Sequence, residues 1–425
     1  MIRAYSVLTT ILYPFLFLFL YYRKIIKKED PERYKEKILT SCFNVKKKDR
    51  SMLIWFHAAS IGEFKSIIPI VEQLNINNQK LKFLITTSTL SSGNLAKIEL
   101  RKFNNVEHRF FPLDINFLWD QFLLQWKPDK IFLVDSEIWP NLILKAREFK
   151  IPIAIINARL TLRSFENWMK FPKVAKKIFG VFSLCMCANT KTKTFLEKLE
   201  LKNIYFKGNI KLIESINQKK IENNNKDFLL KKRFWFASSI HQEEAIFCLK
   251  THLNIKMKFK DIITIIAPRH IQRTEEIKSL CEKFNLNVQV LNKNETILED
   301  KEIIIINFFG FLNNYFKYSK SVFIGKSMVK KLKNEGGQNP IEAAKLNCKV
   351  YHGPYVYNFE DIYELLEQNN ISKKVESYSD LSNNLILDLK IPNKKSDKNL
   401  DTLKRLEQKT LTDTMSLIKK FLNEY

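Results

Sequence analysis

From residue 51 onward, short apolar runs alternate with longer amphipathic ones, and this alternation limits the fold more than any other feature. "MLIWFHAAS", "LKFLITTST", "KIFLVDS", "IPIAIIN" and "SLCMCANT" are rich in β-branched and aromatic residues and apolar at odd and even positions alike. Such runs suit strands covered on both faces, as in a parallel sheet. Helix-like stretches such as "EFKSIIPIVEQL" and "NLILKAREFK" lie between them. The pattern predicts a doubly wound α/β architecture. A polar break at 215–232, "SINQKKIENNNKDFLLKK", lacks apolar periodicity, and the alternation then restarts with "RFWFASS", "DIITIIAPRH", "VQVLN", "EIIIIN", "KSVFIGKS" and "KVYHGP". Two Rossmann-like domains are expected, at 29–218 and 219–400, with a tail that is polar and extended from about 380 and helical over 401–425. A chain of 425 residues gives each domain an ordinary length.

Residues 1–28 are of another kind. "AYSVLTTILYPFLFLFLYY", residues 4–22, carries no charge, and "RKIIKK" follows directly. Nineteen uncharged residues just span a hydrocarbon core, and the basic flank would stay on the cytoplasmic side. A cleavable signal peptide has small residues after its apolar run, which this segment lacks. The segment reads as an uncleaved membrane anchor with the rest of the chain cytoplasmic; the other reading is a buried or interfacial helix, because Pro14 interrupts it.

The formal charge of +26 attracts polyanions, either nucleic acid or phosphate-rich lipid. Nucleic-acid binding calls for exposed stacking aromatics, whereas here the aromatics sit inside apolar strand runs, so no nucleic-acid partner is expected. Six cysteines are scattered; Cys185 and Cys187, the closest pair, read as buried reduced thiols on opposite faces of a strand.

Parallel sheets bind ligands at the carboxyl ends of their strands, and the unusual polar residues follow the apolar runs. In the first half these are Ser60, Gly62 and Glu63; then Asp135, Ser136, Glu137 and Asn141 in "DSEIWPN"; then Asn157, Arg159 and Arg163 in "NARLTLRSF". In the second half they are "ASSIHQEE", "APRHIQR" with Arg269 and His270, "GKSMVKKLKNEGGQNPIEAA" and "GPYVYNFEDI". Each has a plain explanation: Glu63 at the positive end of a helix dipole, Ser238 and Ser239 as caps for a helix near Gln242, Gly336 and Gly337 as a turn before Pro340. Seven such clusters at strand ends point instead to a ligand site. Gly336 and Gly337 would leave backbone N–H groups at a helix start for phosphate, with Lys326 and Arg269 nearby and Asn339 and Glu342 on the first turn beside a ribose. Neither GxGxxG nor GxxxxGK[ST] occurs, and no His, Asp or Cys cluster has metal-ligand spacing.

Taken together, "DPERYKEKI", "FHAASIGE", "DSEIWPN", "NARLTLRS", "GNIK", "ASSIHQEE", "APRHIQR", "EGGQNPIEAA" and "GPYVYNFEDI" resemble, in order and over nearly the whole chain, the 3-deoxy-D-manno-octulosonic acid (Kdo) transferases of lipopolysaccharide assembly. The resemblance implies a GT-B type fold, two Rossmann-like domains facing a cleft, with an N-terminal anchor at the bacterial inner membrane. It implies transfer of Kdo from CMP-Kdo to the lipid A disaccharide precursor, lipid IVA, with inversion and without a metal or other cofactor. Glu63 would be the general base, its ionised form favoured by the helix start. Arg269, His270, Lys326, Ser327, Gly337, Asn339 and Glu342 would bind CMP-Kdo; Ser60, Gly62, Glu137, Asn157 and Arg159 would line the acceptor side. Three positions depart from the family pattern: Lys326 stands for one of two glycines, Gln338 for a histidine, and "DSE" for a Thr-Glu pair. A glycosyltransferase with another nucleotide-sugar donor is the alternative.

Overall fold

A computed structural model of the protein describes residues 2–44, 51–214, 216, 223–241, 243–308, 310–333, 336–391, 395 and 397–423. The chain divides into two compact units, one made of Met1–Ser215 with Glu407–Tyr425 and the other of Ile216–Leu406. Part of the polar 215–232 break lies outside the described residues; its last part forms a helix, Lys226–Lys231.

The first unit holds strands β1 (Leu53–His57), β2 (Lys82–Thr87), β3 (Val106–Phe110), β4 (Lys130–Val134), β5 (Ile153–Ala158), β6 (Phe182–Cys187) and β7 (Ile204–Phe206). The second holds β8 (Phe234–Ile240), β9 (Ile263–Pro268), β10 (Val288–Leu291), β11 (Ile303–Ile306), β12 (Ser321–Ile324), β13 (Lys349–His352) and β14 (Ser372–Lys374). Every pairing is parallel, in the orders β3-β2-β1-β4-β5-β6-β7 and β10-β11-β9-β8-β12-β13-β14. In each sheet the winding reverses once, between β1 and β4 and between β8 and β12. A crevice opens at such a reversal because the two connections leave in opposite directions.

The strand runs are apolar at both parities because both faces are covered. On β1, Trp55 packs into one core with Trp119, Phe122 and Phe111, while Ile54 and Phe56 pack into the other with Phe64, Ile67 and Phe132. Met415, Ile418 and Phe421 of the last helix, Asp397–Asn423, belong to that second core. The tail is therefore more helical than expected: Tyr378–Asp388 is also a helix. All six cysteines are free thiols. Cys185 and Cys187 pack into the same core, since residues two apart on a strand share a face; the expectation of opposite faces is corrected.

The N-terminal apolar segment is two helices, α1 (Ile2–Ile11) and α2 (Tyr13–Ile25), bent by 57°. Pro14 lies in the first turn of α2; it has no N–H for the Thr10 carbonyl, so a continuous helix is interrupted there. Among the described residues no single helix is long and apolar enough to cross a membrane, although the bent pair together has the length and composition.

Candidate active site

Glu63 sits in the first turn of α3 (Ile61–Asn77), which begins at the end of β1 with Ser60 as its cap. Ser60 Oγ donates to Glu63 Oε1 at 2.7 Å, and the Ala59 N–H donates to Oε2 at 2.8 Å. These bonds hold the carboxylate folded back over the strand end. The helix start was expected to favour its ionised form. Instead burial, and then the charge of Asp135, push the carboxyl up to about 7; Ser60 pulls it down, Glu137 raises it further, and Ala59 lowers it. Desolvation outweighs the helix dipole here because the group is largely withdrawn from water.

Gly62 does not make the turn, which Ser60 provides. It has no positive φ, and a Cβ placed on it would meet nothing within 4 Å. The surface over the start of α3 is open.

Glu137, after β4, is fixed by two donors. Its Oε2 lies 3.2 Å from His57 Nε2 and accepts from Trp139 Nε1 at 2.7 Å. The donors form one consistent chain: Trp55 Nε1 donates to Thr86 Oγ1 at 2.9 Å, and Thr86 Oγ1 lies 3.0 Å from His57 Nδ1. His57 Nδ1 also lies 3.2 Å from the Thr86 carbonyl oxygen, so the ring bridges Thr86 and Glu137. Burial opposes ionisation of Glu137, but the His57 and Trp139 hydrogen bonds prevail and hold it below the usual carboxylate range. Two carboxyl groups close to β1 are thus pushed apart, Glu63 up and Glu137 down, which is how a site keeps one proton acceptor distinct from one fixed anion.

Asn157 closes β5 with a left-handed backbone, φ +55°, and its Oδ1 accepts from the Ile210 N–H at 3.0 Å. Its side chain is buried and braces "GNIK" instead of lining the surface. Arg159 is half-buried, and its backbone is tied to its neighbours: its N–H donates to the Asp135 carbonyl at 3.3 Å and its carbonyl accepts from Ser136 Oγ at 3.0 Å.

In the second unit, Arg269 and His270 follow β9 and are exposed. Lys326 follows β12 in the left-handed region, φ +57°, where a glycine would be unstrained. Ser327 is fully buried; its Oγ donates to the Ile324 carbonyl at 2.7 Å and accepts from the Gly353 N–H at 2.9 Å. Its hydroxyl joins two strand-end loops and is withdrawn from the surface where a nucleotide contact was expected. The Gly337 N–H, expected to be open for phosphate, donates to the Lys326 carbonyl at 2.7 Å. Gly337 has φ +87°, and a Cβ on Gly336 would lie 2.2 Å from the Tyr355 carbonyl oxygen, so both glycines are required by the backbone. The helix after them, Ile341–Lys345, has only five residues. Glu342 is in its first turn; Asn339 precedes it and caps it, Oδ1 accepting from the Ile341 N–H at 3.0 Å.

The residue that sequence reasoning missed is Glu244, at the start of the helix Glu244–Lys258. Its buried carboxylate accepts four backbone N–H groups: His241 at 2.8 Å, Lys326 at 2.7 Å, Ser327 at 2.8 Å and Met328 at 2.9 Å. It holds the loop after β12 against the loop after β8, across the winding reversal.

Comparison with known proteins decides the family. A family model for 3-deoxy-D-manno-octulosonic-acid transferase (kdotransferase) matches residues 32–213. The 3-deoxy-D-manno-octulosonic acid transferase of Rickettsia bellii is 29% identical over 99% of this chain and 100% of its own. The probable mitochondrial 3-deoxy-D-manno-octulosonic acid transferase of Arabidopsis thaliana is 31% identical over 75% of this chain and 72% of its own. The chain belongs to the Kdo transferase family. Among solved structures, a UDP-N-acetylglucosamine 2-epimerase has a TM-score of 0.59 at 14% identity, covering 89% of this chain and 98% of its own. HepE of Anabaena in complex with UDP has a TM-score of 0.56 at 11% identity, covering 88% and 100%. At such identities the likeness is one of fold: this Kdo transferase family member shares the two parallel α/β sheets of those proteins. Its matched segment, 32–213, contains Glu63, Glu137, Asn157 and Arg159.

Proposed function

We propose that the protein transfers Kdo from CMP-Kdo to lipid IVA, inverting the anomeric centre, with Glu63 as general base and no metal required. The acceptor hydroxyl gives its proton to Glu63 as its oxygen bonds to the anomeric carbon of Kdo. The bond from that carbon to the phosphate oxygen breaks, and CMP leaves with the electron pair. Glu63 is the observation that carries this reading. It is a half-enclosed carboxylate at the winding reversal of the first sheet, raised to about 7, which suits a group that must bind a proton near neutral pH. Glu137, held ionised by His57 and Trp139, and Arg159 are suited to orienting the acceptor. Arg269, His270 and Lys326 supply donors for the CMP-Kdo phosphate and carboxylate, while Ser327, Gly337 and Asn339 act by shaping their loops. Glu342 is assigned to the nucleotide ribose. On this reading the enzyme works at the cytoplasmic face of the inner membrane beside its phosphorylated acceptor, and the exposed apolar face of α1 and α2 supports that location.

The test is transfer from CMP-Kdo, generated in situ, to lipid IVA with EDTA present, products resolved by mass, for wild type and Glu63→Gln. Wild type is expected to add Kdo, and the variant to lose several orders of magnitude in kcat. Near-normal turnover by Glu63→Gln would remove the base assignment. No product from CMP-Kdo, together with consumption of a uridine diphosphate sugar, would favour another donor.

A further inference from the structure

Asp135, at the end of β4, has no part in the chemistry above, yet strand register sets it beside the base. On β1 and β4 His57 lies opposite Leu133, so Ala59 and Asp135 each follow, by two residues, a paired position at the same end of neighbouring strands. Ala59 is the residue whose N–H holds the Glu63 carboxylate. Asp135 is buried, with a left-handed backbone, φ +61°, that Asp tolerates better than most residues. Its Oδ2 accepts from Lys211 Nζ at 2.6 Å, whereas its Oδ1 is buried without a hydrogen-bond partner among the described residues. A half-satisfied buried carboxylate is costly and is kept where its charge has a use. Lys211 is equally well placed: it lies on the short helix Ile210–Ile213, which packs against α3, and Asn157 and Asn209 fix the N–H groups of Ile210 and Lys211.

We propose that Asp135 and Lys211 are positioning residues that act on Glu63 by charge, Asp135 favouring its protonated form from the neighbouring strand end and Lys211, paired with Asp135, opposing that effect. The proposal rests on the reading of Glu63 as base. Asp135 is the second cause, after burial, of the upward shift of Glu63. Among the described residues, the elements that meet near Glu63 carry the following polar and charged groups. Its own helix brings Ser60, and Lys65 paired with Glu214 at 2.8 Å; the end of β1 brings the Ala59 N–H. The end of β4 brings Asp135 and Glu137, the latter held by His57; the end of β5 brings Arg159; the short helix brings Lys211. Of these, Asp135 is an anion with one oxygen left unpaired, and Lys211 is the cation directly on it.

The experiment is the pH profile of kcat for Kdo transfer by the full chain, for wild type, Asp135→Asn, Lys211→Met and Lys211→Arg, with Glu63→Gln alongside. The acid limb of Asp135→Asn is expected roughly half to one pH unit below that of wild type, and that of Lys211→Met above it by a similar amount. Lys211→Arg keeps the charge and is expected to restore the wild-type limb. Damage to packing would lower the rates of both without moving the limbs in opposite directions. Limbs that stay in place, or move the same way, overturn the proposal while an inactive Glu63→Gln leaves the base reading intact. An active Glu63→Gln removes both.

Discussion

At Glu63 one physical fact, burial, has consequences for both catalysis and stability. The unfolded carboxyl titrates near 4.5 and the folded one near 7. Below pH 4.5 both states are protonated and the group is neutral in stability. Between the two values the unfolded chain has released a proton that the folded chain still binds, so stability falls as pH rises, and above 7 the loss is complete. The gap corresponds to at most roughly 3–4 kcal/mol. Glu63→Gln, which cannot ionise, is therefore expected to have the higher Tm at pH 8 and about the same Tm at pH 4.5, while being inactive. Equal melting of the two proteins at pH 8 would show that the carboxylate is not held in a poorly solvated place. Lys326 makes a similar trade through the backbone. Its φ of +57° is natural for the glycine that the family pattern has there. Lys326→Gly should relieve strain and raise stability by about 0.5–1 kcal/mol. If Lys326 holds the donor phosphate, the same change should raise KM for CMP-Kdo severalfold. A Tm gain with unchanged KM would separate the backbone effect from ligand binding.

At the scale of elements, strands and loops differ in how much of their origin is local. Among the described residues, eleven of the fourteen strands are visible as apolar runs, because their residues need burial on both faces. The three that escape notice are "VEHRF", "IYF" and "SKK", which are β3, β7 and β14, all at sheet edges. An edge strand is short and half-covered, so it carries no continuous apolar signal. The strand-end clusters were legible as a site because ligands collect there in parallel sheets, but which side chains face a ligand was not. Ser327 and Asn157 turn inward to hold loops, and nothing in "HQEE" separates Glu243, exposed and 3.2 Å from Lys331, from Glu244. Only the fold brings four N–H donors to Glu244. The Glu244→Gln side chain presents an amide to those donors, and accepts fewer of them. It should lower stability by about 2–4 kcal/mol. Since the loop after β12 carries Lys326, the variant should also raise KM for CMP-Kdo more than it changes the apparent affinity for lipid IVA. A destabilised variant with both affinities unchanged would confine Glu244 to a structural part.

For the whole molecule, the remaining problem is how a protein with a net charge of +26 and a bent apolar terminus would meet the lipid acceptor proposed for it. The two-unit organisation could be read from the polar break, but whether residues 4–22 cross a membrane could not, since length and apolarity fit both a spanning and an in-plane segment. Side-chain bonding bears on the choice. Tyr5 Oη donates to Asp114 at 2.9 Å, Asn141 Nδ2 to Thr9 Oγ1 at 3.2 Å, and Tyr13 Oη to the Ile38 carbonyl at 3.1 Å. Asp114 is itself buried and also accepts from Trp119 Nε1 at 2.7 Å and the Leu142 N–H at 3.0 Å. One face of α1 and α2 is thus fastened along its length to the first unit. The other face leaves Ile11 63%, Phe15 66% and Leu18 62% exposed, with Arg23, Lys24, Lys27 and Lys28 following. To stand across a bilayer the pair would give up these part-buried hydrogen bonds, whereas an in-plane pair would keep them, with its apolar face in the acyl region and its cations at the phosphates. Two measurements follow. Phe15→Asp with Leu18→Asp should reduce binding to anionic vesicles at least tenfold, and salt should weaken wild-type binding, because apolar burial and screened charge both contribute. In sealed inner-membrane vesicles a cysteine introduced by Ala4→Cys should be labelled by an impermeant reagent from the side that carries the catalytic domains. Labelling of that residue only from the opposite side would mean that the pair spans the membrane, and that the hydrogen bonds to Asp114 and Asn141 give way in lipid.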